Sequence, residues 1–334
     1  MKTALITGIT GQDGSYLAEF LLEKGYRVTG LIRRNSGSAL ANASHLIGKV
    51  EMIHGDLLDQ SNLNKVVKQV KPDEIYSLAA QSVPRESWKS ALYTGEVTAL
   101  GPQRLLEAML EHAPRARFYQ ASSSEIYGEQ KTQKINEGAP LMANNPYGVA
   151  KAYAHRMVAV YRQSYDLHAS AGILFNHESP RRGIDFLTRK LTMAAACIKA
   201  NKQDVPINED GNPLVKDGIV EIGNLDAQRD WGFSGDYVRA MWMMLQQDKP
   251  DDYVIGTGVL KTVQDVCEVA FSRIGLDWQE HVKVSDRFQR PTEISAMVAD
   301  TSKASSKLGW KPEVGFEELI QMMVDADLAL AGGV

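Results

Sequence analysis

A tyrosine and a lysine four positions apart are the residues whose spacing most directly suggests chemistry. Tyr147 and Lys151 enclose the segment Tyr-Gly-Val-Ala-Lys, and residues four apart on a helix lie on one face. An ammonium group beside a phenol favours the phenolate, so the pair predicts a general base whose tyrosine pKa is lowered. Because this spacing also occurs by chance, its meaning depends on the motifs around it.

A hydroxyl and a carboxylate stand at the end of an earlier apolar segment. In Gln-Ala-Ser-Ser-Ser-Glu-Ile-Tyr-Gly, Ser123 and Glu125 are two residues apart. Ser123 could hydrogen-bond a sugar oxygen during its oxidation, and Glu125 could remove the proton from the carbon beside the new ketone. A simple dehydrogenase or epimerase does not need that carboxylate. Glu125 therefore favours elimination chemistry, with a solvated loop residue as the alternative.

Glycines near the N-terminus point to a dinucleotide. Gly8, Gly11 and Gly14 follow a short apolar segment and open a helical pattern. Glycines in such a turn let the backbone approach a pyrophosphate at the positive end of a helix. The spacing GxxGxxG differs from the GxGxxG of the common dinucleotide-binding turn, but the physical reasoning is the same.

The residues after the second apolar segment distinguish NADP from NAD. An acidic side chain there would bind the ribose 2′-hydroxyl, whereas arginine accommodates a 2′-phosphate. Here Arg33 and Arg34 precede Ser36, and guanidinium groups match phosphate oxygens. The sequence predicts NADP, with an exposed basic turn as the alternative. Loops at 55–57 and 78–82 stand where they would flank the adenine and ribose.

Strand-like and helix-like segments alternate along the first half of the chain and would bring these residues together. The strand-like segments are 3–7, 27–32, 50–54, 74–78, 117–122 and 169–174. The helix-like segments between them are 15–24, 61–70, 93–111 and 147–164, and two further helical patterns, 262–274 and 316–330, lie in the C-terminal part. This order predicts an α/β fold, a doubly wound parallel sheet of the Rossmann type with a smaller mixed α/β C-terminal substrate lobe.

The alternation stops after residue 174, and this sets the expected domain boundaries. Residues 1–175 are predicted to form the NADP-binding domain, to which the chain returns at about 222–258. Residues 176–221 and 259–334 are predicted to form the substrate lobe, which would close over the carboxyl ends of the strands. The polar stretch 201–218 predicts a surface loop or a short hairpin.

Composition excludes several classes of partner. The chain has 334 residues and a formal net charge of −4, so no basic excess indicates nucleic acid or a membrane surface. No apolar run approaches the roughly 18–20 residues of a membrane span, and the glycine motif begins at Gly8, where a signal peptide would lie. Cys197 and Cys267 lack metal-ligand spacing and predict buried free thiols in a reducing cytoplasm. We expect no metal site.

Longer segments resemble the GDP-mannose 4,6-dehydratases, a family of extended short-chain dehydrogenases/reductases that modify nucleotide sugars. The resemblance runs in register over nearly the whole chain, in GITGQDGSYLAEFLLEKGY, QASSSEIYG, NPYGVAK, GILFNHESPRRG, TRK, GNLDAQRDWG, RPTE and LGWKP. It implies the extended variant of the fold and a nucleotide-sugar-binding lobe. It also implies loss of water from GDP-mannose to give GDP-4-keto-6-deoxymannose, with NADP reduced and reoxidised within one turnover.

The resemblance assigns roles by matching position. The residues that match the family's catalytic positions are Ser123, Glu125, Tyr147 and Lys151. Those of the NADP site are Gly8, Thr10, Gly11, Gln12, Asp13, Gly14, Arg33, Arg34, Asp56, Leu57, Leu78, Ala80, Gln81, Ser82, Tyr93, Tyr147, Lys151, His177 and Arg182. Those of the GDP-sugar site are Ser82, Ser123, Glu125, Asn176, Lys190, Arg229, Arg290 and Glu293. Arginines can donate to a diphosphate in pairs, and a carboxylate can accept from guanine.

Several segments depart from the family pattern. Where the family usually reads QSHV, this chain reads QSVP at 81–84, close to the expected sugar. The chain is shorter after Arg34 and before Arg290, and longer at 201–218. A related sugar such as GDP-manno-heptose is therefore an alternative substrate. Homodimer and homotetramer both stay open.

Other functions of the same fold remain as alternatives. Nucleotide-sugar 4-epimerases and reductases generally lack a carboxylate at position 125. Dehydratases of dTDP-glucose place an Asp just before it, where this chain has Ser124. UDP-glucuronate decarboxylases carry a similar Ser/Glu pair but not NHESPRRG or GNLDAQRDWG. A non-catalytic NADP-binding regulator would typically have lost the tyrosine or the lysine.

Overall fold

Parallel strands and crossover helices make up the first half of the chain. The computed structural model describes residues 1–34, 40–130, 134–202, 204–208, 211–288 and 296–332. The strands are β1 (Thr3–Thr7), β2 (Arg27–Ile32), β3 (Glu51–His54), β4 (Glu74–Ser77), β5 (Arg117–Ser123), β6 (Lys134–Ile135), β7 (His168–Leu174), β8 (Asn176–Glu178), β9 (Val220–Ile222), β10 (Gln228–Arg229), β11 (Trp231–Phe233), β12 (Tyr253–Ile255), β13 (Lys261–Thr262), β14 (Val282–Val284) and β15 (Val298–Ala299). The helices are α1 (Gln12–Glu23), α2 (Gln60–Val70), α3 (Pro84–Ser87), α4 (Ala91–Thr94), α5 (Gly101–His112), α6 (Pro146–Tyr165), α7 (Leu187–Lys199), α8 (Ser234–Leu245), α9 (Val263–Ser272) and α10 (Phe316–Gly332).

Seven of these strands form one parallel sheet in the order β12-β7-β5-β4-β1-β2-β3. The order reverses beside β1, and in doubly wound sheets the ligand binds at such a switch point, beyond the carboxyl ends of the strands. The predicted α/β fold is confirmed, and all six predicted strands are in the sheet. The seventh, β12, was not predicted, because three apolar residues carry no readable period.

Helices cover both faces of this sheet. α1 and α8 pack on one face through residues such as Leu17, Leu21 and Met241. α2, α5 and α6 pack on the other, where Val67, Leu106 and other apolar side chains are buried. The predicted helix 93–111 is present as a continuous stretch in which a π-helical segment, Gly95–Leu100, joins α4 to α5.

The C-terminal lobe is built on α7, α9 and α10, whose apolar side chains form a separate core. The predicted helices at 262–274 and 316–330 are present as α9 and α10. The helix α7, whose residues 191–197 are all buried, has no counterpart among the helices predicted from the sequence, because the alternation of strands and helices stops after residue 174. In the described part of 201–218 we find only isolated bridges, Ile207 to Pro213 and Lys216 to Ile219.

Two expectations from composition can be compared with this fold. Cys197 and Cys267 are free and buried, as predicted. Burial raises the pKa of the Cys267 thiol to about 12. Within the described residues, no helix combines the length and apolarity that crossing a membrane requires.

A buried ion pair joins the last helix to α7 and to the segment before it. Asp327 lies 2.6 Å from the Arg189 guanidinium and accepts a hydrogen bond from Thr192 at 2.7 Å. Arg189 also donates to the backbone carbonyls of Pro180 and Arg182. Burial raises the pKa of Asp327, an effect that Arg189 opposes. The pair therefore ties α10 to the segment that carries Arg182.

We expect Asp327→Ala to lower the free energy of unfolding by about 3–5 kcal/mol, since it leaves the Arg189 charge buried without its carboxylate partner. Asp325→Ala on the same helix removes an exposed pair with Arg273 and should leave the unfolding midpoint nearly unchanged. Chemical denaturation of both variants measures the difference. Equal midpoints for the two variants would contradict the structural role of the buried pair.

Candidate active site

A cleft of about 520 Å³ runs from the glycine turn after β1 to the C-terminal lobe. It brings together most of the residues that the sequence singled out. Those that line it are Gly8, Gly11, Gln12, Asp13, Gly14, Leu78, Ala80, Ser82, Ser123, Glu125, Tyr147, Lys151, Asn176, His177, Arg182, Lys190 and Arg229. Nucleotide-binding and catalytic positions therefore share one continuous space.

The glycine turn approaches the neighbouring strand as closely as the backbone allows. Gly8 has a φ of +72°, and a Cβ there would lie 2.8 Å from the backbone nitrogen of Ala79. Gly11 donates its backbone N–H to the Gly8 carbonyl at 3.0 Å and precedes the first residue of α1. The backbone N–H groups at the start of this 12-residue helix could hold a pyrophosphate.

A half-buried ion pair connects the first turn of α1 to β8. Asp13 accepts hydrogen bonds from His177 Nε2 and Ser234 Oγ, each at 2.8 Å. The other ring nitrogen of His177 lies 2.8 Å from the Phe175 carbonyl, so both nitrogens face acceptors and the imidazolium form fits. Burial alone would lower the pKa of His177, but the Asp13 carboxylate raises it. The same contact overcomes burial at Asp13 and holds the pKa of that carboxyl well below its usual range.

The catalytic end of the cleft is formed where α6 begins against the turn after β5. Ser123 ends β5, and Glu125 lies in the following 3₁₀ turn, where its backbone N–H donates to Ser123 Oγ at 3.2 Å. Tyr147 is in the first turn of α6 and Lys151 in the second. A proton acceptor, a hydroxyl and a carboxylate therefore face one space, which suits two successive proton transfers on one molecule.

The pKa of Tyr147 corrects the expectation from the sequence. Burial raises it to about 12, although a hydrogen bond with Ser123 lowers it in part. Lys151 Nζ donates to the Ala121 carbonyl at 2.7 Å rather than to the phenol, and it lies 5.8 Å from the centre of the tyrosine ring. Burial lowers the pKa of Lys151 itself to about 8.

The far end of the cleft is cationic. Lys190 donates to the Glu221 carbonyl at 2.5 Å, and both Lys190 and Arg287 lie over the ring of Phe288. Burial, with Arg287 close by, lowers the pKa of Lys190 to about 8. Arg229 lines the same end. These groups can meet an anionic substrate such as a diphosphate.

Some predicted positions do not line the cleft. Those that the structure describes are Thr10, Arg33, Arg34, Asp56, Leu57, Gln81 and Tyr93. It does bring two of them together, since Arg33 Nη1 donates to the Tyr93 hydroxyl at 2.9 Å. Ser36, Arg290 and Glu293 lie outside the described residues, and their roles stay predictions. Across the described positions, no three His, Cys, Asp or Glu side chains group as metal ligands would.

Several lining residues were not singled out from the sequence. Asn145 caps α6, and an Asn before Pro at a helix start is a readable signal. The others sit at the expected sugar or on the lobe, where only tertiary packing places them: Arg85, Glu86, Trp88, Asp185, Asn208, Arg287 and Phe288.

Comparison with known proteins agrees with this geometry. A family model described as GDP-mannose 4,6 dehydratase matches residues 5–323. GDP-mannose 4,6 dehydratase 1 of Arabidopsis thaliana is 47% identical, over 99% of this chain and 91% of that protein. The Cricetulus griseus GDP-mannose 4,6 dehydratase is 44% identical, over 98% and 92%. The UDP-glucose 4-epimerase of Thermus thermophilus, in complex with NAD, has a TM-score of 0.82 and 25% identity, over 97% and 98%.

The Asp13–His177 pair predicts a pH dependence of stability. A histidine whose native pKa is raised stabilises the fold below its ordinary pKa of about 6.5, and that stability is lost as pH rises through the native pKa. The unfolding midpoint of the wild type should therefore fall relative to that of His177→Gln as pH rises. Midpoints of both proteins between about pH 5 and 9 measure this difference.

His155 provides a control of opposite sign. It is buried on α6, and burial lowers its pKa, so protonation favours the unfolded chain. The wild type should gain stability relative to His155→Gln over the same rise in pH.

A difference between wild type and His177→Gln that does not change with pH would contradict the charged pair. Asp13, Arg182 and the Phe175 carbonyl are the charged and polar groups that face His177.

Proposed function

The chain belongs to the GDP-mannose 4,6-dehydratase family, and we propose that it converts GDP-mannose to GDP-4-keto-6-deoxymannose with one NADP kept bound throughout. The observation that carries the proposal is the meeting of Ser123, Glu125 and Tyr147 at one end of the cleft. The phenol and the hydroxyl serve oxidation at C4, and the carboxylate serves loss of water. A non-catalytic NADP-binding regulator would need none of the three.

NADP fits the residues around the glycine turn. Gly8 leaves no room for a side chain beside Ala79, as a turn wrapped closely around a pyrophosphate requires. Arg33 follows β2, the strand next to that turn, and offers a guanidinium for the 2′-phosphate of NADP. When bound, oxidised NADP would supply the hydride acceptor for C4, the hydride donor for C6 and positive charge near the phenol.

In the oxidation, Tyr147 takes the proton of the C4 hydroxyl while Ser123 hydrogen-bonds the same oxygen. Because burial raises the pKa of Tyr147 to about 12, the phenol needs positive charge close by to act at neutral pH. Lys151, with a pKa of about 8, remains largely protonated there and supplies part of that charge. Its side chain also lies where it can hold the nicotinamide ribose.

In the elimination, Glu125 removes the C5 proton, which the C4 ketone makes acidic. The electron pair of that C–H bond forms the C5–C6 double bond while the C6–O bond breaks, and Glu125 gives its proton to the departing oxygen. Ser124 occupies the place of the Asp in dTDP-glucose dehydratases, so Glu125 serves as both base and acid. The proton that Tyr147 took from the C4 hydroxyl is added at C5 in the last step, and the net change is loss of one water.

The cationic end of the cleft is proposed to bind the GDP moiety. Lys190, Arg229 and Arg287 can donate to its phosphate oxygens, and Asn176 lines the same cleft. Arg290 and Glu293 are predicted to join this group from the neighbouring segment.

A longer sugar such as GDP-manno-heptose is a second candidate substrate. Arg85, Glu86 and Trp88 line the cleft on the segment where this chain departs from the family pattern. Their polar groups can hydrogen-bond one more sugar hydroxyl than an apolar segment could.

We also propose that the protein is a cytoplasmic homo-oligomer, dimeric or tetrameric. Apolar side chains are exposed on the neighbouring helices α4 and α6, with Leu92 89%, Val160 43% and Tyr153 39% exposed. An interface between two copies of the chain would cover them.

Mass spectrometry of GDP-mannose incubated with the protein and NADP tests the function. We expect a product lighter by one water with no net formation of NADPH. GDP-manno-heptose and other GDP-hexoses are assayed in parallel. If none of these GDP-sugars loses water, the proposal is overturned.

Glu125→Gln should oxidise C4 but fail to eliminate water, because an amide cannot accept the C5 proton. We expect NADPH to accumulate after mixing, and the dehydrated product to fall by at least about 100-fold. Glu129→Gln changes an exposed carboxylate close by in the chain that does not line the cleft, and should behave as wild type. Wild-type dehydration by Glu125→Gln would exclude Glu125 as the acid/base.

Arg33→Ala should weaken NADP binding by about 10- to 100-fold, the usual worth of a hydrogen bond to a charged group, and change NAD binding little. Arg27→Ala is the control, since Arg27 begins the same strand and donates to the Val70 carbonyl instead. Calorimetric titration of each variant with both dinucleotides measures the preference. An equal loss for NADP and NAD in Arg33→Ala would argue against a 2′-phosphate contact.

A further inference from the structure

The carboxylate of Glu125 is held on one side by an amide that the proposed mechanism has not used. Asn145 Nδ2 donates to Glu125 Oε2 at 2.9 Å. Both side chains are half-buried and line the cleft. A donor on one carboxylate oxygen leaves the other oxygen, Oε1, for a further partner.

The orientation of this amide is fixed by the helix that it caps. Asn145 Oδ1 accepts a hydrogen bond from the Gly148 backbone N–H at 2.9 Å, as the N-cap of α6. An asparagine side chain has one acceptor oxygen and one donor nitrogen. Because the oxygen is occupied by the cap, the nitrogen must face Glu125.

We infer that Asn145 is a positioning residue that sets which oxygen of Glu125 meets the substrate and ties that orientation to the helix carrying Tyr147. The inference rests on the proposed function of Glu125. With Oε2 held by Asn145, Oε1 takes the C5 proton and hands the same proton to the C6 oxygen. One oxygen atom thus serves both transfers, and the carboxylate does not rotate between them.

Two substitutions separate this role from that of a helix cap. The aspartate introduced by Asn145→Asp would cap the helix as well as the asparagine does, but it would place a second carboxylate against Glu125. Asn145→Ser also keeps a capping oxygen, but its side chain is too short to reach the carboxylate. Tyr147 is the ionisable group facing Glu125 from α6, with Arg182 farther along the cleft.

Single-turnover mixing of the NADP-loaded enzyme with GDP-mannose resolves the two stages. NADPH absorbance rises with C4 oxidation, which depends on Tyr147, and decays only after elimination, which depends on Glu125. We expect Asn145→Asp to slow the decay by about 10- to 100-fold at neutral pH and to shift its pH dependence upward, because a like charge disfavours ionised Glu125. We expect Asn145→Ser to slow the decay by about 10-fold without that shift. In both variants the rise should stay close to the wild-type rate.

Other outcomes would overturn the inference. A wild-type decay rate and pH profile in Asn145→Asp would mean that the amide does not act on Glu125. Equal slowing of rise and decay in both variants, with weaker NADP binding, would leave Asn145 as a helix cap only. If the wild-type protein dehydrates no GDP-sugar, the proposed function fails and the inference fails with it. If the wild type dehydrates its substrate and both variants match it, only the inference fails.

Discussion

The start of α6 packs against the turn that follows β5, and the catalytic end of the cleft depends on that contact. A Cβ at Gly148 would lie 2.6 Å from the Glu125 carbonyl oxygen, so a larger residue would push the helix away and move Tyr147 with it. The strand that leads into this turn, β5, is fixed by its pairing with β4 and β7. The groups for oxidation and for elimination are therefore positioned by backbone packing, with little left to side-chain flexibility.

Buried charge prepares the rest of the cleft for anions. Lys151 and Lys190 both have pKa values lowered to about 8 by burial, which shows that each ammonium group is poorly solvated where it lies. A buried cation is stabilised by an anionic partner. The proposed dinucleotide and GDP-sugar ligands would bring such partners to the cleft. The charges of Asp13 and protonated His177 neutralise each other. This pair ties the start of α1 to β8, and its histidine charge is not left free to bind a phosphate.

Local patterns predicted the fold and most of the cleft, whereas features that depend on packing were not readable from the sequence. The buried strand Thr3–Thr7 and the Tyr147/Lys151 spacing are local, and both predictions match the positions observed. The helix α7 was not delimited because it follows the point at which the alternation of strands and helices stops. The high pKa of Tyr147 was missed because it follows from burial rather than from the neighbouring lysine. Asn145 was readable as a cap, but its contact with Glu125 exists only once α6 has packed on the turn.

In the proposed reaction one cleft performs oxidation, elimination and reduction on a single substrate molecule without releasing NADP. A direct test mixes GDP-mannose that carries deuterium at C4 with GDP-mannose that has no deuterium but carries a heavy isotope at another position. We expect deuterium at C6 of the product, in the molecule from which it came, with no exchange between the two substrates. Deuterium lost to free NADPH, or found in product from the substrate that had none, would contradict retention of NADP through the turnover.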